Sequence, residues 1–201
     1  MRGLRKILWV LVALGVIVFA VIAFTAQRDA LPEPTSRPDP DATVTIGGPF
    51  TLVGSDGEAF SSEQLAGRPQ AIFFGFTSCP DICPATLADL VRYRKQLGDE
   101  DAFAIIFISV DPERDGPEEV GRYADLFATD VIGLTGSQPQ LDKVMEQFGV
   151  AAIREDSEDG NYDVNHTANV FLIDRDGNFQ STISPEESDE AALAKLERLT
   201  R

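Results

Sequence analysis

The chain has 201 residues, which bounds it to one domain with additions. Its 33 acidic residues outnumber 17 basic ones, giving a formal net charge of −16, and that balance excludes nucleic-acid binding through phosphates and repels anionic lipid. Only two cysteines are present, so a disulfide-dense scaffold is also excluded.

Residues 7–24 form an uninterrupted apolar run containing Gly15 and no charge. As a helix they span about 27 Å, close to the ~30 Å hydrocarbon core of a bilayer. Arg2, Arg5 and Lys6 precede the run. Positive residues stay on the cytoplasmic side, so everything after the run is expected across the membrane. A cleaved signal peptide is the competing reading, but the run exceeds the usual apolar length of such peptides. The expected organisation is a cytoplasmic N-terminus over 1–6, a transmembrane anchor over 7–26, a linker over 27–45 and a folded domain over 46–201. The linker is rich in Pro and Asp (Leu31-Pro32-Glu33-Pro34, Arg37-Pro38-Asp39-Pro40) and has no apolar period. Residues 1–30 hold four basic residues and one acidic residue, so 31–201 carry 13 and 32, a net charge of −19. Such a charge serves solubility first, and attraction to a basic partner or a cation second.

Within the domain, residues 50–53 and 59–60 read as a hairpin around Ser55-Asp56-Gly57. Residues 71–76 are a buried strand and 84–97 a helix with Leu87, Leu90, Val91 and Leu97 on one face. A second buried strand covers 103–110. Pro117 opens a helix through Phe127. A short strand at 131–134 precedes a helix that Ser137 caps and Gly149 stops. Residues 151–154 and 169–174 read as strands, 175–178 as a turn, 179–183 as a strand and 186–199 as a closing helix. Continuous apolar strands alternating with helices predict an α/β sandwich on a central, largely parallel sheet. The last strands are expected to add an antiparallel edge hairpin.

The two cysteines occupy one stretch, Phe76-Thr77-Ser78-Cys79-Pro80-Asp81-Ile82-Cys83-Pro84. With no other sulfur of their kind, they form a disulfide with each other, bind a metal or stay reduced. A proline follows each, and the residue before proline is biased away from the α conformation. The segment is therefore read as a loop, with Cys83 at the N-cap of a helix starting at Pro84. The positive helix end there is expected to lower the thiol pKa, favouring thiolate, which is both nucleophile and metal ligand. A purely structural disulfide gains little from so short a loop. His166 is the only histidine. Its stretch, residues 161–169, reads as a loop just before a buried strand. Two thiolates and one imidazole form a soft, three-coordinate set that suits copper and leaves zinc one ligand short.

Thr77-x-Cys79-Pro80-x-x-Cys83-Pro84 is followed by Ser109-Val110-Asp111-Pro112-x-Arg114-Asp115, Tyr162-x-Val164-x-His166-Thr167 and Phe171-Leu172-Ile173-Asp174-x-Asp176-Gly177. This ordered set resembles the SCO/SenC copper chaperone family over about residues 46–200, and the anchor and linker resemble that family's layout. The resemblance implies a thioredoxin-like fold with a central mixed β-sheet flanked by helices. It implies one copper, Cu(I) or Cu(II), held by Cys79, Cys83 and His166. It implies a bacterial inner-membrane protein with its domain in the periplasm. The partners it implies are cytochrome c oxidase subunit II, whose binuclear copper centre it would help assemble, a copper donor protein and a thiol reductant. Family members often have an acidic residue before the histidine, and this chain has Asn165, a change that would reduce charge next to the ligands. Asp111, at a strand C-terminus, is a candidate to orient a ligand or the partner, or simply makes a turn with Pro112. Arg114 and Asp115 are expected to form an ion pair. The alternative function is a thiol-disulfide oxidoreductase using Cys79 and Cys83 as a redox pair on the partner's cysteines. A peroxidase reading is disfavoured by the position of Thr77 relative to Cys79.

Overall fold

The computed structural model describes residues 45–127, 129–156 and 162–201. The expected cytoplasmic N-terminus, anchor and nearly all of the linker lie outside the described residues. Among the described residues no helix is long and apolar enough to cross a membrane.

The elements run β1 (Thr51–Gly54), β2 (Ala59–Ser61), a 3-10 turn (Ser62–Leu65), β3 (Gln70–Gly75), α1 (Ile82–Gln96), β4 (Ala104–Ser109), α2 (Pro117–Ala124), β5 (Val131–Thr135), α3 (Gln138–Phe148), β6 (Ala152–Asp156), β7 (Tyr162–His166), β8 (Val170–Ile173), β9 (Phe179–Ile183) and α4 (Asp189–Thr200). Seven strands form one sheet in the order β2-β1-β5-β4-β3-β8-β9, and β6 and β7 form a separate two-stranded ribbon. The two continuous apolar runs become β3 and β4, paired in parallel at the centre, and every one of their residues is buried. Alternation sends their side chains to opposite faces. Ile72, Phe74, Ile106 and Ile108 meet α3 on one face, through Leu141, Val144, Met145 and Phe148. Ala71, Phe73, Ile105 and Phe107 meet α1, α2 and α4 on the other. Coverage of both faces is why these strands are apolar throughout rather than alternating.

The sheet corrects one expectation. Only β3–β4 and β4–β5 are parallel, whereas β1–β2, β1–β5, β3–β8 and β8–β9 are antiparallel. The sheet is therefore mixed, as the family resemblance implied, and not largely parallel. An unbroken apolar run reports burial on both faces, and burial does not encode strand direction. The expected edge hairpin is present as β8–β9. Helix boundaries moved where a turn competes. The helix after Pro117 ends at Ala124, and the last helix begins at Asp189, with the Ser188 side chain capping it through the Ala191 N–H. The predicted cap and stop of α3 are both observed, as a capping box at Ser137 with Gln140 and as Gly149 in the left-handed region at φ 66°.

Candidate metal centre

β3 and α1 deliver the two cysteines. β3 ends at Gly75, the chain crosses residues 76–81 over the C-terminal edge of the sheet, and α1 begins at Ile82. Cys83 therefore sits in the first helical turn, not at the N-cap. The N-cap is Asp81, whose side chain makes no capping bond. Proline within the first turn removes an N–H that would have no helical partner anyway, so Pro84 is no barrier. Burial of the Cys83 side chain, at 0% exposure, overrides the preference that proline imposes on its predecessor.

A consequence is that the Cys83 thiol pKa is raised, not lowered. Burial is the main cause, followed by the hydrogen bond with Cys79, and a backbone hydrogen bond from Phe76 opposes them only in part. A helix N-terminus favours an anion by about 0.3–1 kcal/mol, less than the cost of taking a thiolate out of water. The sulfur lies so deep because the strand beneath it ends in glycine. A Cβ on Gly75 would stand 2.8 Å from Cys83 Sγ and about as close to the rings of Phe107 and Phe73. Cys79 is half-buried, and its sulfur accepts the Cys83 backbone N–H at 3.4 Å. Both cysteines are free thiols.

His166 arrives from the other side. It is the last residue of β7 in the ribbon, and not part of a loop as expected. Its register partner is Ala152. The ribbon closes through Thr167 N–H to Ala151 O at 2.9 Å and Ala151 N–H to Thr167 Oγ1 at 3.1 Å. The rings of Phe73 and Phe76 meet the imidazole edge-on, at centroid separations of 6.1 and 5.8 Å. Nδ1 lies 3.0 Å from the Thr167 carbonyl oxygen. A carbonyl only accepts, so Nδ1 carries the proton and the Nε2 lone pair is free. That lone pair faces Cys83 Sγ at 3.6 Å. The fold thus brings a buried thiol and an oriented imidazole together from residues 83 positions apart. Among the described residues no three His, Cys, Asp or Glu side chains already converge as a metal cage. The third candidate, Cys79, has its sulfur turned to the helix backbone on the loop beside the pair.

Asp111 and Asp115, in the loop after β4, are both buried. Asp111 does not stand free to meet a partner. It pairs with Arg114 and accepts the Tyr162 hydroxyl at 2.7 Å. The expected Arg114–Asp115 ion pair is replaced by this Arg114–Asp111 pair. Asp115 instead accepts from Thr77 N–H at 2.8 Å, Thr77 Oγ1 at 2.6 Å and Ser109 Oγ at 2.6 Å. Asn165 is exposed and neighbours Ile153 across the ribbon, and strand alternation turns it away from the face of Val164 and His166. Sequence reasoning passed over Gly75, although glycine closing an apolar strand is a sign of close approach. It also passed over the anchoring roles of Asp115 and Tyr162, for which no local signal exists.

A family model described as SCO1/SenC matches residues 38–201. An SCO2-like protein of Rickettsia prowazekii is 40% identical over 139 residues, 68% of this chain and 68% of its own. Among solved structures, copper-bound ScoI of Bradyrhizobium japonicum is 39% identical with a TM-score of 0.69, over 77% of this chain and 99% of that one. BsSco, a member of the Sco family of cytochrome c oxidase assembly proteins in which a disulfide switch is identified, is 26% identical with a TM-score of 0.62, over 80% of this chain and 96% of that one.

Proposed function

The chain belongs to the SCO1/SenC family, and from that premise we propose that it is a copper-binding chaperone of cytochrome c oxidase assembly, holding one copper ion, Cu(I) or Cu(II), as cargo between Cys79, Cys83 and His166. The observation that carries the proposal is the 3.6 Å approach of His166 Nε2 to Cys83 Sγ, with Nδ1 committed to the Thr167 carbonyl. Two soft sulfurs and one imidazole match copper better than hard-oxygen cations, and three donors leave a position open for an incoming ligand of the recipient. Burial protects the Cys83 proton until a cation replaces it. Cys79, on the exposed side, takes up the third position by turning its sulfur away from the Cys83 N–H.

The recipient is subunit II of the oxidase, at its binuclear copper centre, with copper received from a separate donor protein. The apolar run at 7–24 anchors the chain once in a bacterial inner membrane, with Arg2, Arg5 and Lys6 inside and the domain in the periplasm. A thiol reductant keeps the cysteines in the dithiol form there, because that compartment is oxidising.

The test is copper titration of the reduced full-length chain with X-ray absorption at the copper edge. The expected outcome is one copper per chain with two sulfur neighbours and one nitrogen. His166→Ala should remove the nitrogen, and Cys83→Ala should take tight binding away. Unchanged Cu(II) affinity in His166→Ala would sink the three-ligand site.

One contact favours a second reading, in which the pair acts as a thiol-disulfide reductase. The Cys83 N–H holds Cys79 Sγ, on the more accessible cysteine, and attack on a disulfide proceeds from the thiolate form. That thiolate would attack a partner disulfide, releasing one partner thiolate and forming a mixed disulfide. Cys83 would then close the Cys79–Cys83 disulfide and release the second partner thiol, passing two electrons to the partner. His166→Ala separates the readings, since disulfide exchange does not need the imidazole.

A further inference from the structure

The two halves of the site come from parts of the fold that do not share a sheet, yet one short loop touches both. Residues 110–116 leave the C-terminal end of β4, the central strand. At its far end the loop holds the cysteine side. The Asp115 carboxylate, 1% exposed, takes three hydrogen bonds, two of them from Thr77 at the root of the cysteine loop and one from Ser109. The Asp115 carbonyl also accepts Thr135 Oγ1 at 2.6 Å, which ties the loop to β5. At its near end the loop holds the histidine side. Asp111 accepts the Tyr162 hydroxyl, and Arg114 donates to the Tyr162 carbonyl at 3.0 Å. The Arg114 guanidinium lies 3.8 Å from the Tyr162 ring centroid, and Arg154 lies 3.7 Å from the same centroid. Tyr162 is the first residue of the strand that His166 ends. Arg154 is held in turn by Glu113 of the same loop at 2.7 Å. The two ends are joined within the loop by Asp115 N–H to Asp111 O at 2.9 Å.

We propose that the loop at 110–116 is the positioning element of the copper site: Asp115 fixes the cysteine loop through Thr77, Asp111 and Arg114 fix the histidine ribbon through Tyr162, and the loop thereby sets the spacing between thiol and imidazole. The proposal rests on the copper reading for its consequence, but its geometric content does not need copper. Each hydrogen bond to a buried carboxylate is of the stronger, charge-assisted kind, so the carboxylates of the loop resist displacement. The ribbon has no sheet neighbour among the described strands beyond its own pair, so loosening Tyr162 acts first on the ribbon, which Val164 and the rings of Phe73 and Phe76 against His166 still hold. The two arms therefore have separable effects. Loss of the tyrosine arm should reduce the imidazole contribution and fall on Cu(II), which wants nitrogen donors, more than on Cu(I), which two thiolates satisfy. Loss of the Asp115 arm should loosen the thiol side and fall on both.

The experiment uses the reduced full-length chain in detergent micelles, wild type against Tyr162→Phe, Arg114→Lys and Thr77→Val. Thr77→Val deletes one bond to Asp115 while leaving that carboxylate in place, and so avoids the risk that Asp115→Asn does not fold. Without copper, the nuclear Overhauser contact between the His166 ring and the Cys83 β-protons should weaken in Tyr162→Phe and Arg114→Lys. With copper, those two variants should lose about tenfold in Cu(II) affinity, the lower end of the usual effect of groups that orient ligands, and keep wild-type Cu(I) affinity. Thr77→Val should lower both, and Thr77→Ser should restore them. A copper-free contact of wild-type strength in both tyrosine-arm variants overturns the proposal, whatever copper does. Equal loss of Cu(I) and Cu(II) in those variants overturns it as well. A wild-type chain that binds no copper while the contact still weakens refutes the chaperone reading and leaves the positioning role standing.

Discussion

Cys83 and His166 meet on supports that differ in how deeply they are packed. Cys83 is rooted between β3, a strand hydrogen-bonded on both sides and buried throughout, and α1, which packs on it through Leu87 and Leu90. His166 ends a ribbon whose first strand is exposed at four of five residues. The fold holds one donor in its most cooperative region and the other in a segment fastened by a few side chains. Local opening of such a ribbon costs less than global unfolding, because few apolar contacts must break. At the proposed copper site that division would let the imidazole release first while the thiols kept hold.

Three experiments test this contrast. The largest effect is expected in alkylation of the copper-free dithiol chain near neutral pH, followed by mass spectrometry. Cys79, half-exposed, should be modified first, and Cys83 should react more slowly than an unperturbed thiol, since burial raises its pKa and leaves little of the reactive thiolate. The sign has a consequence for stability. A raised thiol pKa costs the folded state nothing below the ordinary thiol value and destabilises it as pH rises past that value, because the unfolded chain then sheds the proton first. Modification of both cysteines at one rate would mean that the cysteine side is as mobile as the ribbon.

Next comes Gly75→Ala. The new methyl would meet Cys83 Sγ and two buried rings, an overpacking that costs about 1–3 kcal/mol. A thermal melt should show the loss, and a Cu(I) competition assay should show weaker binding because the sulfur is displaced. A stable variant with wild-type Cu(I) affinity would show that the cysteine side yields easily. The smallest effect is expected in Ile153→Ser on the ribbon's outer strand. Ile153 is 62% exposed, and exposed substitutions stay within about 0.5 kcal/mol. Its melt and its copper stoichiometry should match wild type, whereas a large change would mean that this face of the ribbon is buried against something else.

Much of this was legible along the chain. The α3 helix was readable at both ends because Ser137, Gln140 and Gly149 act on their immediate neighbours. The paired apolar runs announced the central strands. Cys79, Cys83 and His166 stood out as the chemically distinctive residues of the domain, and the fold brings two of them, Cys83 and His166, within 3.6 Å. Its local electrostatics were misread at Cys83 because two short-range rules, proline bias and helix polarity, pointed to a low pKa. Burial against Gly75, a property of the packed state, outweighed both.

The residue types fixed in advance which atoms are available: two thiols in one short stretch, one imidazole, and an apolar scaffold whose strands are covered on both faces. These are consequences of residue type and short spacing, and they survive any arrangement of the rest. Only the tertiary structure decided that the sheet is mixed, that His166 ends a ribbon, that Arg114 serves Asp111 and not Asp115, and that one loop reaches both arms of the site. Those facts depend on contacts between residues tens of positions apart, from Asp111 to Tyr162 and from Thr77 to Asp115. Their energies come from burial and from hydrogen bonds that exist once the chain has closed on itself.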